Sequence, residues 1–419
     1  MLPPLRSATL RASLAGWLCL AALPAPAQET FRWVTGDPHV HATAWDCDVS
    51  HSPEQLAELQ ERHHLDVVSA LLWGIGYERD RPWFTGRDHP VSTAEHVLHF
   101  DVEVSHFEPE RGGHLILLGL RELDFFDAGA TSLSGVPVVD WASGQDPGVT
   151  IGMAHGFKWP ADGSFPRLDT WGRPFELPVH AARGRIHFLS TEEPGETVVD
   201  PGTWKLWKSL QNAGLRVTLM GASDYPCIAH SFDGDVLRNH ALIRGPLSYA
   251  AWLEAIRAGR VVVASGDRES LNLEVAGARL GEEARLGAGL PATIVVEANL
   301  AGAADVEILG NGRPVLTLPL PAGHARVVTE IALESSAWLV ARSPRAVTNP
   351  VYALVDGRPI RASAEDACYL VRYVDYLADS VARGSINMHG SRDAALAAYA
   401  EARRTLEARF LESGGSECR

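Results

Sequence analysis

TGDPHVHATAWDCDVSHSPEQL, residues 35–56, places two imidazoles one residue apart directly after an apolar run, FRWV, that reads as a strand. In a strand, residues i and i+2 face the same side. His39 and His41 can therefore grip one ion while Val40 between them packs into the interior. Asp37 stands just before the pair. Ten residues of loop follow, and then a helix start: Ser52 suits an N-cap, Pro53 suits the first helical position, and Leu56 and Leu59 fall on one face. Strand, loop, helix is the opening unit of an α/β fold.

Read outward, the same unit repeats. LDVVSALLW (65–73) is a buried strand, and FDVEVSHF (100–107), HLILLGL (114–120), VTIGMAH (149–155), IHFLS (186–190), LRVTLMGASD (215–224) and HALIRG (240–245) follow it. TWKLWKSLQNAG and SYAAWLEAIRAG read as helices closed by Gly. The alternation over residues 28–268 argues for a parallel sheet or an α/β barrel. Acidic and imidazole side chains gather at the strand ends: Glu103, His155 and Asp224, with His114 opening its strand rather than closing one. Barrel chemistry collects at strand C-termini. With His39 and His41 these six residues form a candidate divalent-metal site, and imidazole with carboxylate suits zinc, manganese or iron. His51, His89, His180 and His230 read as surface or hydrogen-bonding histidines, and Glu176 as a structural carboxylate. Trp45, Trp73, Trp83 and Phe84 fall on loops of the pocket region, where they either anchor the loops or line a site for a small-molecule substrate with an apolar part.

Residues 269–362 change texture to short strands without helical period, and Asn311-Gly312 marks a hairpin turn. This reads as a small β-sandwich. Residues 363–419 read as helices, with Leu396, Tyr399, Leu406 and Phe410 on a face that packs on the body; the final SGGSECR reads as frayed. Residues 1–27 have the form of a secretory signal: Arg6 and Arg11, the apolar SLAGWLCLAAL, then APA. Its removal takes the net charge from −15 to −17, since it carries two cations and no acid. The expected location is secreted or periplasmic. No later apolar run is long enough to form an integral membrane segment. With 37 Lys and Arg against 52 Asp and Glu and no basic run, nucleic-acid binding is not expected.

The ordered set GDPHVH, SPEQLAEL, LDVV, EVSHF, GHLILLGL, GMAH and LQNAGLRVTLMGASD resembles the PHP (polymerase and histidinol phosphatase) superfamily, and within it the secreted CehA/McbA-type metallohydrolases. LRNHALIRGPLSYAAWLEAIRAGRVVVASG resembles that group too, so the likeness covers about residues 31–268. It implies a distorted (β/α)7 barrel with metals at one end that activate water. His39, His41, Glu103 and Asp224 would hold one metal, and Glu103 would bridge to a second held by His114 and His155. The substrate would be a phosphoester, ester, amide or carbamate. The chain departs from the family where a third metal would bind: Cys47, Trp73 and Pro226 occupy the three ligand positions. Two metals are therefore expected. Cys47 and Cys227 both follow metal-bearing strand ends, so they are expected near each other, as a disulfide in an oxidising compartment. Such a barrel stripped of turnover, binding a ligand or carbohydrate, is the alternative. A Ser-His-Asp hydrolase is disfavoured by the lack of a G-x-S-x-G elbow.

Overall fold

The structure is a computed structural model. It describes residues 30–418 except 45, 46, 48, 75, 106–112, 128–134, 146–147, 169–171, 195–196, 267–268 and 385–390. The signal-like segment and Trp45 lie outside the described residues.

The first part is mixed α/β, built on a large central sheet. Its strands are β1 (Phe31–Val40), β4 (Val67–Leu72), β5 (Val97–Val104), β6 (Leu115–Leu118), β7 (Thr150–Met153), β8 (Phe188–Thr191), β9 (Thr218–Gly221), β10 (Leu237–Arg244) and β11 (Val261–Ser265); the short β2 (Thr43–Ala44) and β3 (Val49–Ser50) pair only with each other. The neighbour order is β11-β10-β1-β4-β5-β6-β7-β8-β9. The pairs β1–β4, β4–β5, β7–β8 and β8–β9 are parallel, while β6 runs antiparallel to both β5 and β7. Among the described residues this ladder does not close on itself. Its β9 end is nonetheless linked back to β1 and β10. Val40 bridges Tyr225, the His41 N–H donates to the Tyr225 carbonyl at 2.8 Å, and the Asn239 amide bonds Gly221 on both its oxygen and nitrogen sides.

The helix expected after β1 spans Pro53–Arg62. Ser52 and Gln55 cap it reciprocally, and Leu56 is buried. One apolar cluster draws Val34, Val67, Val97, Ile116, Phe188, Met220 and Ala241 from seven strands around Trp252 of the helix Tyr249–Arg257. The outward faces of the strands, with Val40, Leu98 and Leu117, pack under the surrounding helices.

The β-rich segment extends the same sheet, because Val262 of β11 pairs with Thr348 of the strand Ala346–Thr348. A separate three-stranded sheet (Ser270–Val275, Pro291–Leu300, Gly323–Ala332) packs over it, enclosing a second apolar cluster. The expected hairpin turn has Asn311 and Gly312 both at positive φ, 52° and 78°, as a two-residue turn matching strand twist requires. The C-terminal helices Ala364–Ala382 and Arg392–Glu412 bury Tyr399, Leu406 and Phe410 as expected, with Leu396 half-buried. The Tyr399 hydroxyl donates to Glu176 at 2.6 Å. The expectation of a frayed end is overturned: Cys418 is disulfide-bonded to Cys368 and ties the last residues to the first of these helices.

Candidate metal centre

The His39 and His41 side chains reach the interior through a fault in β1. Early in the strand the inner face carries even-numbered residues: Val34 belongs to the inner cluster, and a Cβ at Gly36 would meet the Trp252 ring at 2.7 Å. Between Asp37 and Val40 the register against β4 shifts, so that the span Asp37–Val40 faces only Val68–Ala70. The extra residue re-aims the alternation, as bulges do beside functional sites. His39 and His41 now face inward and Val40 outward.

His39, His41 and Asp224 bring one donor atom each within 4.8 Å of one another, and Glu103, His114 and His155 do the same. Around Asp224 Oδ1, His39 Nε2 lies at 3.3 Å and His41 Nε2 at 3.1 Å; Glu103 Oε2 lies 3.4 Å and 3.2 Å from the same two nitrogens. A tetrahedral ion with bonds of about 2.0–2.1 Å spaces its ligands about 3.3–3.4 Å apart, so these contacts have the size of a coordination shell. The other oxygen of Glu103 lies 2.6 Å from His114 Nδ1, and His114 Nδ1 lies 2.9 Å from His155 Nε2. Glu103 therefore faces one group with each oxygen. Asp224 leans the same way, its Oδ2 3.9 Å from His155 Nε2.

Both ring nitrogens of His39 and Oε1 of Glu103 are buried without a hydrogen bond of acceptable geometry. Buried polar atoms without partners are costly; an ion in the first group would meet His39 Nε2, one in the second would meet Glu103 Oε1, and His39 Nδ1 is turned toward Glu192. These residues fit divalent ions. His41 donates Nδ1–H to the Leu71 carbonyl at 3.2 Å, which leaves the Nε2 lone pair facing the cluster. Charge balance in the ion-free protein tells the same story. Burial pushes His41 down, but Asp224 and Glu103 outweigh it and hold it at about 9. His39 is likewise raised well above the usual imidazole range, against its burial, by Asp224 and Glu103. Burial pushes Glu103 up, yet His114 and His39 hold it well below the carboxylate range. Protons thus stand where a cation would.

His155 and Asp224 both adopt left-handed backbone, φ 62° and 46°. Non-glycine residues in this region are strained, and such strain collects at functional sites. His114 is the residue whose position at a strand start looked anomalous. The antiparallel pairing of β5 and β6 resolves it: Val104 opposes Leu115, so the start of β6 lies beside the end of β5.

Two further buried carboxylates hold the cluster. Glu192, just after β8, accepts the His155 backbone N–H at 2.9 Å and faces His155 Nδ1 at 3.3 Å and His39 Nδ1 at 3.7 Å. Ser190 donates to its other oxygen at 2.7 Å. Burial raises Glu192, but His155 and His39 bring it far below its ordinary value. Sequence reasoning missed it, although it obeys the strand-end rule that found the others. Asp37 accepts N–H groups from His39 and Ser223, and burial raises it to about 6.

The candidates for a third metal site are engaged elsewhere. Cys47 is disulfide-bonded to Cys227, bringing together the two loops expected to meet. Trp73 donates Nε1–H to the Thr43 carbonyl at 2.6 Å and lays its ring 4.6 Å from that of His41. His51 contacts the Tyr225 hydroxyl and His230 the Pro226 carbonyl. His89 is half-buried against Phe100, His180 is buried beside Glu176, and Glu176 accepts the Gly135 N–H as well as the Tyr399 hydroxyl. Of the aromatics expected to line a substrate pocket, Phe84 is a buried core residue and Trp83 packs on Phe100. Their apolar surface serves the fold. Compared with models of known protein families the chain matches none, and it matches no characterised protein.

Proposed function

We propose that the protein is a metal-dependent hydrolase of a phosphoester, ester, amide or carbamate bond, built on a distorted (β/α)7 barrel of the PHP kind. One observation carries the reading: two buried three-residue donor sets joined by the two oxygens of Glu103. His39, His41 and Asp224 would hold one ion, His114 and His155 the other, with Glu103 between them. When bound, such ions acidify water and polarise the scissile group. The protein supplies the rest. Glu192 orients His39 and His155, Leu71 fixes the His41 tautomer, and Asp37 stiffens the His39 backbone. No protein nucleophile is called for. The inner apolar cluster with members from seven strands, and the Val40–Tyr225 bridge from β1 to the segment after β9, support the barrel. Two disulfides suit an oxidising compartment, in keeping with a secreted or periplasmic enzyme. Among the described residues no helix is long and apolar enough to cross a membrane.

The test is elemental analysis of protein purified without chelator, followed by aryl phosphate, ester and carbamate substrates. About two ions of zinc, manganese or iron per chain, with turnover abolished by chelation, is the expected result. A chain that binds no metal would be a binding protein and would end the reading.

A further inference from the structure

A second candidate site lies away from the ligand cluster. A cleft of about 510 Å³ runs between the β1–β10 pair and the outer face of the three-stranded sheet, a size typical of small-ligand sites. Trp33 stands at one side, toward the start of β1, whereas His39 and His41 stand at its end. Its indole is 41 % exposed, and among the described residues it is the one aromatic side chain in the set of exposed large hydrophobic residues. His240 is opposite Thr35 in the ladder, hence on the same face as Trp33. The facing wall is polar. Asn272 opposes Glu297, and Asn299 opposes His324, so all four project from one side of the sheet. The other side of the same strands, with Leu271, Leu273 and Val296, is apolar core.

We infer that this cleft binds a neutral saccharide chain, with one sugar ring stacked on Trp33. An aromatic ring flanked by amides matches a sugar, whose C–H face is apolar and whose hydroxyls each donate and accept. The Asn272 amide offers both functions. Among the described residues Asn272 Oδ1 is buried and has no hydrogen bond, so this acceptor at the cleft wall is left open by the protein itself. The charges argue against an ionic ligand. Glu297 lies 3.7 Å from His324 Nε2, and Glu269 at the cleft edge accepts the Ala301 N–H and faces Arg345 Nε at 3.7 Å. These carboxylates repel phosphate or sulfate, and each already faces a basic side chain of the protein. The inference is independent of the hydrolase reading.

The test is calorimetric titration of the full chain with cellohexaose, xylohexaose, maltohexaose and N-acetylchitohexaose, and with spermidine as a cationic probe. At least one oligosaccharide binds with a dissociation constant on the order of 1 mM or below. Trp33→Ala weakens it about tenfold or more, as loss of one stacking contact would. Asn272→Ala gives a second, independent loss. Both variants keep the melting temperature and metal content of the parent, since neither residue touches the ligand cluster. Binding by none of the four saccharides, binding that survives both substitutions, or tighter binding of spermidine than of any saccharide would each overturn the assignment.

Discussion

Along one face of β5, His99 and Asp101 belong to one buried polar cluster and Glu103 to another. In the first, Asp101 Oδ1 accepts the N–H groups of Gly119 and Leu120 at 2.8 and 3.2 Å. Its Oδ2 accepts the Tyr249 hydroxyl at 2.5 Å and faces His99 Nδ1 at 3.1 Å. Ser69 meets the Tyr249 hydroxyl at 2.7 Å, and the His99 and Tyr249 rings stack at 4.0 Å. Donors and acceptors there match one another. In the second, carboxylates and imidazoles converge, and among the described residues neither ring nitrogen of His39 has a hydrogen bond of acceptable geometry. Burial is the same in both, so burial alone does not separate structure from function. What separates them is whether the protein completes its own hydrogen bonding.

The largest test of this contrast is removal of a donor from the open cluster. His41→Ala is expected to lower turnover by on the order of 10³-fold or more, the several kcal/mol an ion contributes to the transition state, and to reduce the bound metal while the chain stays folded. Unchanged metal content and turnover in that variant would erase the distinction. A smaller effect is expected one layer out. Glu192→Gln keeps the shape and removes the charge behind His39 and His155, and metal affinity should fall about 10–100-fold, read by competition with a chelating dye. An unaltered affinity would make Glu192 a bystander.

Much of this site could be read from the residues in order. His39 and His41 were legible because strand alternation has period two, and Glu103, His155 and Asp224 because they close apolar runs. The β1 bulge was not legible: it depends on how Pro38 and its neighbours sit against β4, a pairing that only the assembled sheet defines. Glu192 was not legible, because beside Glu193 nothing local distinguishes a buried carboxylate from a solvated one. For Trp83 and Phe84 both readings, loop anchor and pocket lining, stayed open, because an aromatic on a loop gives no local sign of whether it faces a ligand or the core. The α/β alternation and the β-rich segment were visible as changes of period. That the second extends the sheet of the first through β11 was not, since such pairing has no local signature.

The two clusters should also respond differently to pH. In the metal-free protein His41 is held at about 9, above the ordinary imidazole value of 6.5. Its charged form is therefore favoured by folding. That contribution is complete below pH 6.5 and is lost as pH rises through about 9. Calorimetry of chelated protein should show the melting temperature falling over this window, while protein with metal, whose imidazoles are already unprotonated, should not follow it. Parallel curves with and without metal would separate His41 from the ions. The smallest effect belongs to the closed cluster. Tyr249→Phe removes a donor from Asp101 and an acceptor from Ser69, which should cost about 1–2 kcal/mol of stability in a denaturant titration and leave metal content unchanged. A loss of metal in this variant would show that the two clusters are one.

The Cys47–Cys227 disulfide joins positions 180 residues apart, each a few residues beyond a ligand, His41 on one side and Asp224 on the other. Chains are synthesised from the N-terminus. His39 and His41 are thus made early and must wait for nearly half the protein before Asp224, the last of their partner carboxylates, exists. Maturation has an order written into it: the oxidising step that fastens the two loops comes only after the last ligand has emerged, and it then holds the first and last ligand segments side by side. A pulse-labelled chain should therefore gain this cross-link before it gains metal, and a chain kept reduced should load metal more slowly.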